Sequence, residues 1–207
     1  MNPTSEPIIF SKFHSAFVVG MLDIVHSTEI TMPLAGESVD DFYTIFLEET
    51  AIILRNHGAT VIKNIGDGML FYFPKTASVE KEVFSEVIVC AKALLSGREK
   101  INAKLAAEQL PQIDFRVSFS FGAVSAMISQ DGTIIDLFGS VINTCTKMNK
   151  MASPNTCIAG EVLHEKLVAL GIVNAEQGST DEKVVSEKIG DYHIGDKLSF
   201  GVWQIAK

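Results

Sequence analysis

Apolar and polar positions along this chain fall into blocks whose periods name its elements. Ala16 to Ile24 (AFVVGMLDI) is a near-continuous apolar run, the pattern of a strand buried on both faces, and it delivers Asp23 near its end. The stretch Val25-His26-Ser27-Thr28, rich in small polar groups, predicts a loop. Ser38-Val39-Asp40-Asp41 reads as a helix start, with Ser38 as N-cap and an acid three residues on. Phe42, Ile45, Phe46, Glu49, Ile52 and Ile53 continue at helical spacing towards a C-cap at Gly58. Two β-prone runs, 60–65 and 69–73, flank Gly66-Asp67-Gly68 and predict a tight hairpin that Pro74 stops. Val83, Phe84, Val87, Ile88, Ala91, Leu94 and Leu95 hold a 3.6 period in a second helical region from Val79 to about Glu108, which Gly97 is expected to break before a further piece near 99–108. Pro111 precedes a long alternating strand from Asp114 to Val124. Asp131-Gly132 turns the chain into a strand over 133–136, and Phe138-Gly139 leads into a helix from about Ser140 to Met151. A short strand over 156–159, a helix over 160–168, a polar loop over 174–183 and two strands, 184–194 and 198–205, complete the chain.

The first six elements, β-α-β-β-α-β, are in the ferredoxin-like order. The expected fold is therefore α+β: a ferredoxin-like βαββαβ core with a C-terminal αβ and β-hairpin extension. Residues 1–14, polar with two prolines, predict an N-terminal arm, and 15–207 a single domain, which suits 207 residues of which 47% are apolar. The net charge of −8 argues against a nucleic-acid polymer or an anionic membrane surface as partner. Cys90, Cys145 and Cys157 are widely spaced and form no C-x-x-C pair, so neither a disulfide framework nor a zinc site is expected. The first residues lack a charged-then-apolar signal pattern, and no apolar run approaches membrane-spanning length. A soluble, cytoplasmic protein is expected. The five histidines form no H-E-x-x-H pattern and read as ordinary surface or core residues.

The candidate chemistry lies in three groups. Asp67 sits at the tip of the hairpin, and Lys63 lies four residues earlier inside a half-buried strand, where a charge needs a partner or a ligand. Taken alone, the pair describes an ordinary solvated hairpin. In a βαββ sheet, however, strand one lies beside the hairpin, so Asp23 and Asp67 can meet at one end of the sheet. Two carboxylates there make a hard, oxygen-rich site suited to Mg²⁺ or Mn²⁺. The Ser27-Thr28 loop ahead of a helix offers backbone N–H groups of the kind that bind phosphate. The third group is Asp136-Leu137-Phe138-Gly139-Ser140-Val141-Ile142-Asn143, followed by Lys147. Asn143 and Lys147 stand at i, i+4 and share a helix face. An amide and a cation stacked in this way can hold a ribose and stabilise negative charge on a phosphate.

These residues together resemble the catalytic domain of the class III nucleotidyl cyclases, the adenylate/guanylate cyclase family. The resemblance covers about residues 15–168. It rests on Asp-Ile-x-x-Ser/Thr (Asp23 to Thr28), Lys-x-x-Gly-Asp (Lys63 to Asp67), an Arg-started strand ending in Gly (Arg116 to Gly122) and Asp-x-x-Gly-x-x-x-Asn (Asp136 to Asn143), all in the family's order. The resemblance implies two metal ions, Mg²⁺ or Mn²⁺, per active site, held by Asp23 and Asp67 with the Ile24 carbonyl. It implies that the ribose 3′-hydroxyl of a nucleoside triphosphate attacks the α-phosphorus, releasing pyrophosphate and a 3′,5′-cyclic nucleotide. Lys63 and Asp136 match the positions that read the base, in the adenylate-cyclase choice, and Asn143 matches the residue that orients the ribose. It further implies a head-to-tail homodimer in which one subunit gives the metal acids and the other the base-reading pair and the Asn helix, so that Lys63 and Asp67 serve opposite sites.

The chain departs from the family pattern twice. The transition-state Arg, four residues after the Asn, is Lys147, which keeps the charge but not the planar fork. The position after the strand-ending Gly, often an Arg that binds triphosphate, is Ala123. Lys197 in the terminal strand pair is a substitute candidate for phosphate binding, and Arg116 reads as structural. The expected activity is ATP to cyclic AMP. The alternatives are a cyclase of the same fold acting on GTP or a pyrimidine triphosphate, and a degenerate nucleotide-binding dimerisation module.

Overall fold

A computed structural model describes residues 9–174, 184–195 and 198–207. The chain begins with β1 (Ile9–Ile24), a short α1 (Ser27–Thr31) and α2 (Gly36–Asn56). The hairpin β2 (Thr60–Ile65) and β3 (Gly68–Phe73) follows, then α3 (Lys81–Ala107) and β4 (Phe115–Ile128). β5 (Ile134–Phe138), α4 (Ser140–Met148), β6 (Cys157–Gly160) and α5 (Glu161–Ala169) lead to a short parallel pair, β7 (Val173–Asn174) and β8 (Val184–Val185). A closing hairpin, β9 (Glu187–Ile194) and β10 (Leu198–Ala206), ends the fold. The main sheet runs β2-β3-β1-β4-β6-β10-β9, with β5 pairing the far end of β4. The βαββαβ core and its C-terminal extension are thus the ones the element order predicts.

β1 explains why the sheet needs cover on both sides. Val18, Leu22 and Ile24 join one core with Phe42, Phe46 and Leu54 of α2, Phe84, Val87 and Leu94 of α3, and Leu163 and Leu167 of α5. Val19 and Met21 join a second core with Val141, Ile142, Cys145 and Met148 of α4. The two-residue alternation of a strand sorts these side chains onto opposite faces, so a run apolar at nearly every position is what a double-faced strand requires. The three cysteines are buried and free, and burial pushes the Cys90 and Cys145 thiols up to about 12. They are packing residues.

Several boundaries differ from the pattern reading. β1 starts at Ile9 and pairs with Met127 and Ile128, so the second part of the expected 1–14 arm is strand; residues 1–8 lie outside the described ones. α2 starts at Gly36 on Ala35, two residues before Ser38, which therefore lies in the first turn and is not the cap. The loop expected over 25–28 becomes α1 from Ser27, entered through His26 in a left-handed conformation (φ 57°). Gly97 does not break α3, which is one helix of 27 residues. A Cβ at Gly97 would stand 2.4 Å from Ile53 Cδ1 of α2, so this glycine permits close helix packing instead of ending a helix. The polar loop expected over 174–183 lies almost wholly outside the described residues.

The α2–α3 contact carries the one nearly buried carboxylate of that layer. Glu49 accepts from Lys100 at 2.8 Å and Lys104 at 2.5 Å, and these hydrogen bonds hold its carboxyl below the usual glutamate range. A depressed folded-state pKa contributes stability above the ordinary glutamate value, and that stability is lost as pH falls through the lowered one. Glu49→Gln is expected to lower Tm by a few degrees at pH 7, with variant and wild type converging in acid, as thermal melts across pH would read.

Candidate active site

The first part of the site is a product of strand register. β1 lies between β3 and β4, with Asp23 opposite Gly68 on one side and Arg116 on the other. Val19 and Met21 face the α4 side, so alternation puts Asp23 on that face as well. Gly66 takes a positive φ of 61° in the turn. Gly68 is buried, and a Cβ there would stand 2.8 Å from the Leu22 carbonyl oxygen and 3.4 Å from Asp23 Oδ1. Only a residue without a side chain lets the hairpin tip close on the end of β1, and that closure brings Asp67 beside Asp23. Burial, and then the Asp67 charge, push the Asp23 carboxyl above the usual aspartate range, against the opposing pull of Arg116 and Lys150. Arg116 Nη2 donates to Asp23 Oδ2 at 3.1 Å, with both side chains about three-quarters buried.

Two carboxylates that repel each other in a partly buried corner fit a divalent cation. Among the described residues no three acidic, His or Cys side chains gather into one cluster. The protein therefore offers two carboxylates, and the remaining oxygens of a Mg²⁺ or Mn²⁺ shell would come from backbone, water and substrate phosphates, the usual arrangement for such ions. Ile24 closes β1 with its side chain buried. Ser27 is buried, with its carbonyl accepting from Thr31 Oγ1, and Thr28 is exposed at the start of α1.

The second part lies elsewhere on the α4 face. β2 pairs Val61 with Phe71 and then Lys63 with Leu70, so Ile62 is the extra residue of a β-bulge. Strict alternation would leave Val61 and Lys63 on one face. The bulge turns Lys63 towards the face of Leu70, where its Nζ donates to Asp136 Oδ2 of β5 at 2.6 Å. Asp136, only 13% exposed, also accepts the Leu137 N–H on Oδ1 at 2.8 Å. Register between β4 and β5 sets Asp136 opposite Met127. A cavity of about 310 Å³ opens beside this ion pair, bounded by Lys63, Ile65, Leu137, Phe138, Asn143 and Lys147 among others. Asn143 and Lys147 both stand on the exposed face of α4. They also border a second cavity of about 400 Å³, against Tyr192 and His193 of β9.

The sequence candidates thus separate into two sets. Asp23 and Asp67 come together at the β1 and β3 ends, while Lys63, Asn143 and Lys147 line a cavity to which neither of these acids contributes, with Asp136 held behind Lys63. Lys197 lies outside the described residues. Pattern reading missed the direct bond from Arg116 to Asp23, the apolar walls Ile65, Leu137, Phe138 and Ile142, and the approach of β9 to α4. Counting back from the paired ends of β1 and β4 would have found the first.

Most of the chain superposes on solved structures of nucleotidyl cyclase domains. The guanylyl cyclase Cya2 aligns with a TM-score of 0.75 at 16% identity, over 93% of this chain and 92% of that one. The adenylyl cyclase CyaB from P. aeruginosa aligns at 0.77 and 13%, over 96% of each chain. The catalytic core of a rhodopsin-guanylyl cyclase with converted specificity, in complex with ATPαS, aligns at 0.70 and 16%, over 97% of this chain and 99% of that one. At these identities the likeness is one of fold. A search of curated proteins finds no match. The family model of the adenylate and guanylate cyclase catalytic domain matches residues 11–190, most of the chain, so this protein belongs to the class III nucleotidyl cyclase catalytic domains.

Proposed function

We propose that this protein converts ATP to 3′,5′-cyclic AMP and pyrophosphate, as a homodimer whose two active sites each combine residues of both subunits. The observation that carries this reading is that Lys63, paired with Asp136, lines a cavity together with Asn143 and Lys147 that neither Asp23 nor Asp67 borders. Each chain holds two incomplete halves, and a head-to-tail partner supplies the missing half to each.

The adenine edge presents a ring-nitrogen acceptor beside an amino donor. Lys63 keeps two N–H donors beyond the one given to Asp136, and the Asp136 carboxylate has further lone pairs. A cation and a carboxylate held together can therefore donate to the ring nitrogen and accept from the amino group. Guanine presents three adjacent groups, two of them donors, and would ask more of the single carboxylate. The Ile65, Leu137 and Phe138 walls suit the flat apolar faces of a base. Asn143 orients the ribose, and Lys147 stands one helical turn on to neutralise charge developing at the α-phosphate. Ser27 and Thr28, which follow β1 at the start of α1, and Lys197 are the candidates for triphosphate contacts. Two Mg²⁺ or Mn²⁺ ions at Asp23, Asp67 and the Ile24 carbonyl would supply charge neutralisation and lower the pKa of the 3′-hydroxyl. The O3′–P bond forms, the bond from the α-phosphorus to the pyrophosphate oxygen breaks, and the hydroxyl proton passes to water.

Membrane attachment through a helix has no candidate among the described residues, none of whose helices is long and apolar enough to cross a bilayer. A second reading, a nucleotide-binding module without turnover, is favoured by Lys147 and Ala123 standing where the family places arginines.

Incubation with each of the four nucleoside triphosphates and Mn²⁺ or Mg²⁺ is expected to give most product from ATP, and Asp23→Ala to abolish it. Faster turnover of GTP or CTP would sink the base assignment, and binding without product would favour the second reading. Lys147→Arg is expected to raise kcat several-fold with little change in KM, since the fork grips two phosphate oxygens in the transition state. Asp23→Ala and Asn143→Ala, each inactive alone, are expected to recover about a quarter of wild-type activity when mixed as equal subunits, because half the dimers then carry one intact site of two. No recovery in a mixture shown to exchange subunits would exclude shared sites.

A further inference from the structure

Arg116 makes an incomplete bond to a residue of the candidate metal site. Its backbone is firmly held: the Asn149 amide donates to the Arg116 carbonyl at 3.3 Å, to the Met21 carbonyl at 3.0 Å and to Ser118 Oγ at 3.2 Å, tying β4 to β1 beneath the site. Its guanidinium, in contrast, reaches Asp23 through Nη2 alone, while Nε is buried without a hydrogen-bond partner. Arg and carboxylate usually meet fork to fork through two parallel bonds. A single-point contact with a buried donor left over is weaker than that and easier to exchange. The carboxylate is also divided. Oδ2 faces Arg116, and Oδ1 lies on the side of Gly68 and the turn that carries Asp67.

We propose that Arg116 is the resident counter-ion of the Asp23–Asp67 pair, holding Oδ2 in the metal-free chain and ceding it when a divalent cation enters, so that this arginine sets how tightly the chain holds the ion. It is a positioning residue that acts through Asp23 and makes no contact with substrate. The inference rests on the reading of Asp23 and Asp67 as metal ligands and adds a competitor built into the fold. Without the arginine, two neighbouring carboxylates would repel each other in a partly buried corner. With it, the corner is assembled before the ion arrives, and part of the ion's binding free energy is spent displacing a positive charge. Lys150 is the other cation acting on Asp23, and it touches neither oxygen in the manner of Arg116.

The test is Mn²⁺ binding by the full chain without nucleotide, followed by the electron paramagnetic resonance of free Mn²⁺. Arg116→Gln is expected to bind Mn²⁺ about five- to tenfold more tightly than wild type, because a competing charge has gone. Arg116→Lys should stay close to wild type, since the charge remains. Lys150→Gln should change affinity by less than about twofold, being a distant charge. Metal-free Arg116→Gln should melt below wild type, with the gap closing at saturating Mn²⁺. Unchanged or weaker Mn²⁺ binding by folded Arg116→Gln overturns the proposal, and so does an equal gain from Lys150→Gln, which would make the effect a general field. Asp23→Asn separates the two readings: Mn²⁺ binding that survives it sinks the metal assignment itself. If Arg116→Gln does not fold, nitrogen-15 spectra of wild type decide. The Arg116 Nε–H resonance should move on addition of Mg²⁺ and stay still in Asp23→Asn, and a resonance unmoved in wild type overturns the proposal.

Discussion

One cross-strand alignment governs the candidate site: Asp23 stands between Gly68 and Arg116. A slip of one residue in either ladder would send Asp23 to the opposite face, into the core built by α2 and α3. The register is protected because Val18, Leu22 and Ile24 on one face and Val19 and Met21 on the other all lose their burial if it slips. The site acid is thus placed by hydrophobic packing on both sides of β1. The missing side chain at Gly68 then admits the hairpin tip, and the Arg116 guanidinium offsets the charge that results. Packing, steric room and electrostatics each supply one condition for two carboxylates to share a corner.

The other half of the site depends on a local irregularity. A regular β2 would aim Lys63 at the apolar layer containing Val61. The bulge at Ile62 redirects it to Asp136, on a strand that reaches the same place only because β5 folds back along the far end of β4. An ion pair with one member 13% exposed and the other 44% exposed is partly desolvated, and its worth to stability is small. Its worth lies in orientation, since it holds the Lys63 ammonium in place on a cavity wall. Neither Asp23 nor Asp67 borders this cavity, and in the proposed reading a second copy of the chain supplies the missing half of each site.

Much of the fold was legible because this chain's periods are clean. The continuous apolar run of β1, the 3.6 spacing of α3 and the Gly-Asp-Gly turn each have one good interpretation. Misreadings arose where a residue type has two uses. Gly97 looked like a helix breaker and is a contact surface for Ile53, a distinction that depends on the distance between two helices. Ser38 looked like a cap and lies in the first turn, because a backbone in extended conformation at Ala35 starts the helix without a side-chain cap. The polar stretch 25–28 looked like loop, and from Ser27 it closes into the short helix α1 after the end of β1.

The sequence by itself determined which groups are present and on which element each one rides: an acid closing a buried strand, an acid on a glycine turn, an amide and a cation one helical turn apart, and the order of motifs that marks a nucleotidyl cyclase. Those properties are local, set by spacing along the chain. Only the tertiary structure decided which of them meet. Lys63 and Asp136 are brought together by a bulge and a strand that folds back, and Asp23 meets Arg116 through a ladder joining distant segments. The one-sided bond that leaves the Arg116 Nε without a partner has no trace in spacing or residue type, because it is a matter of angle and distance between two side chains. Contacts of that kind follow from how the whole core packs, and no window of sequence contains the whole core.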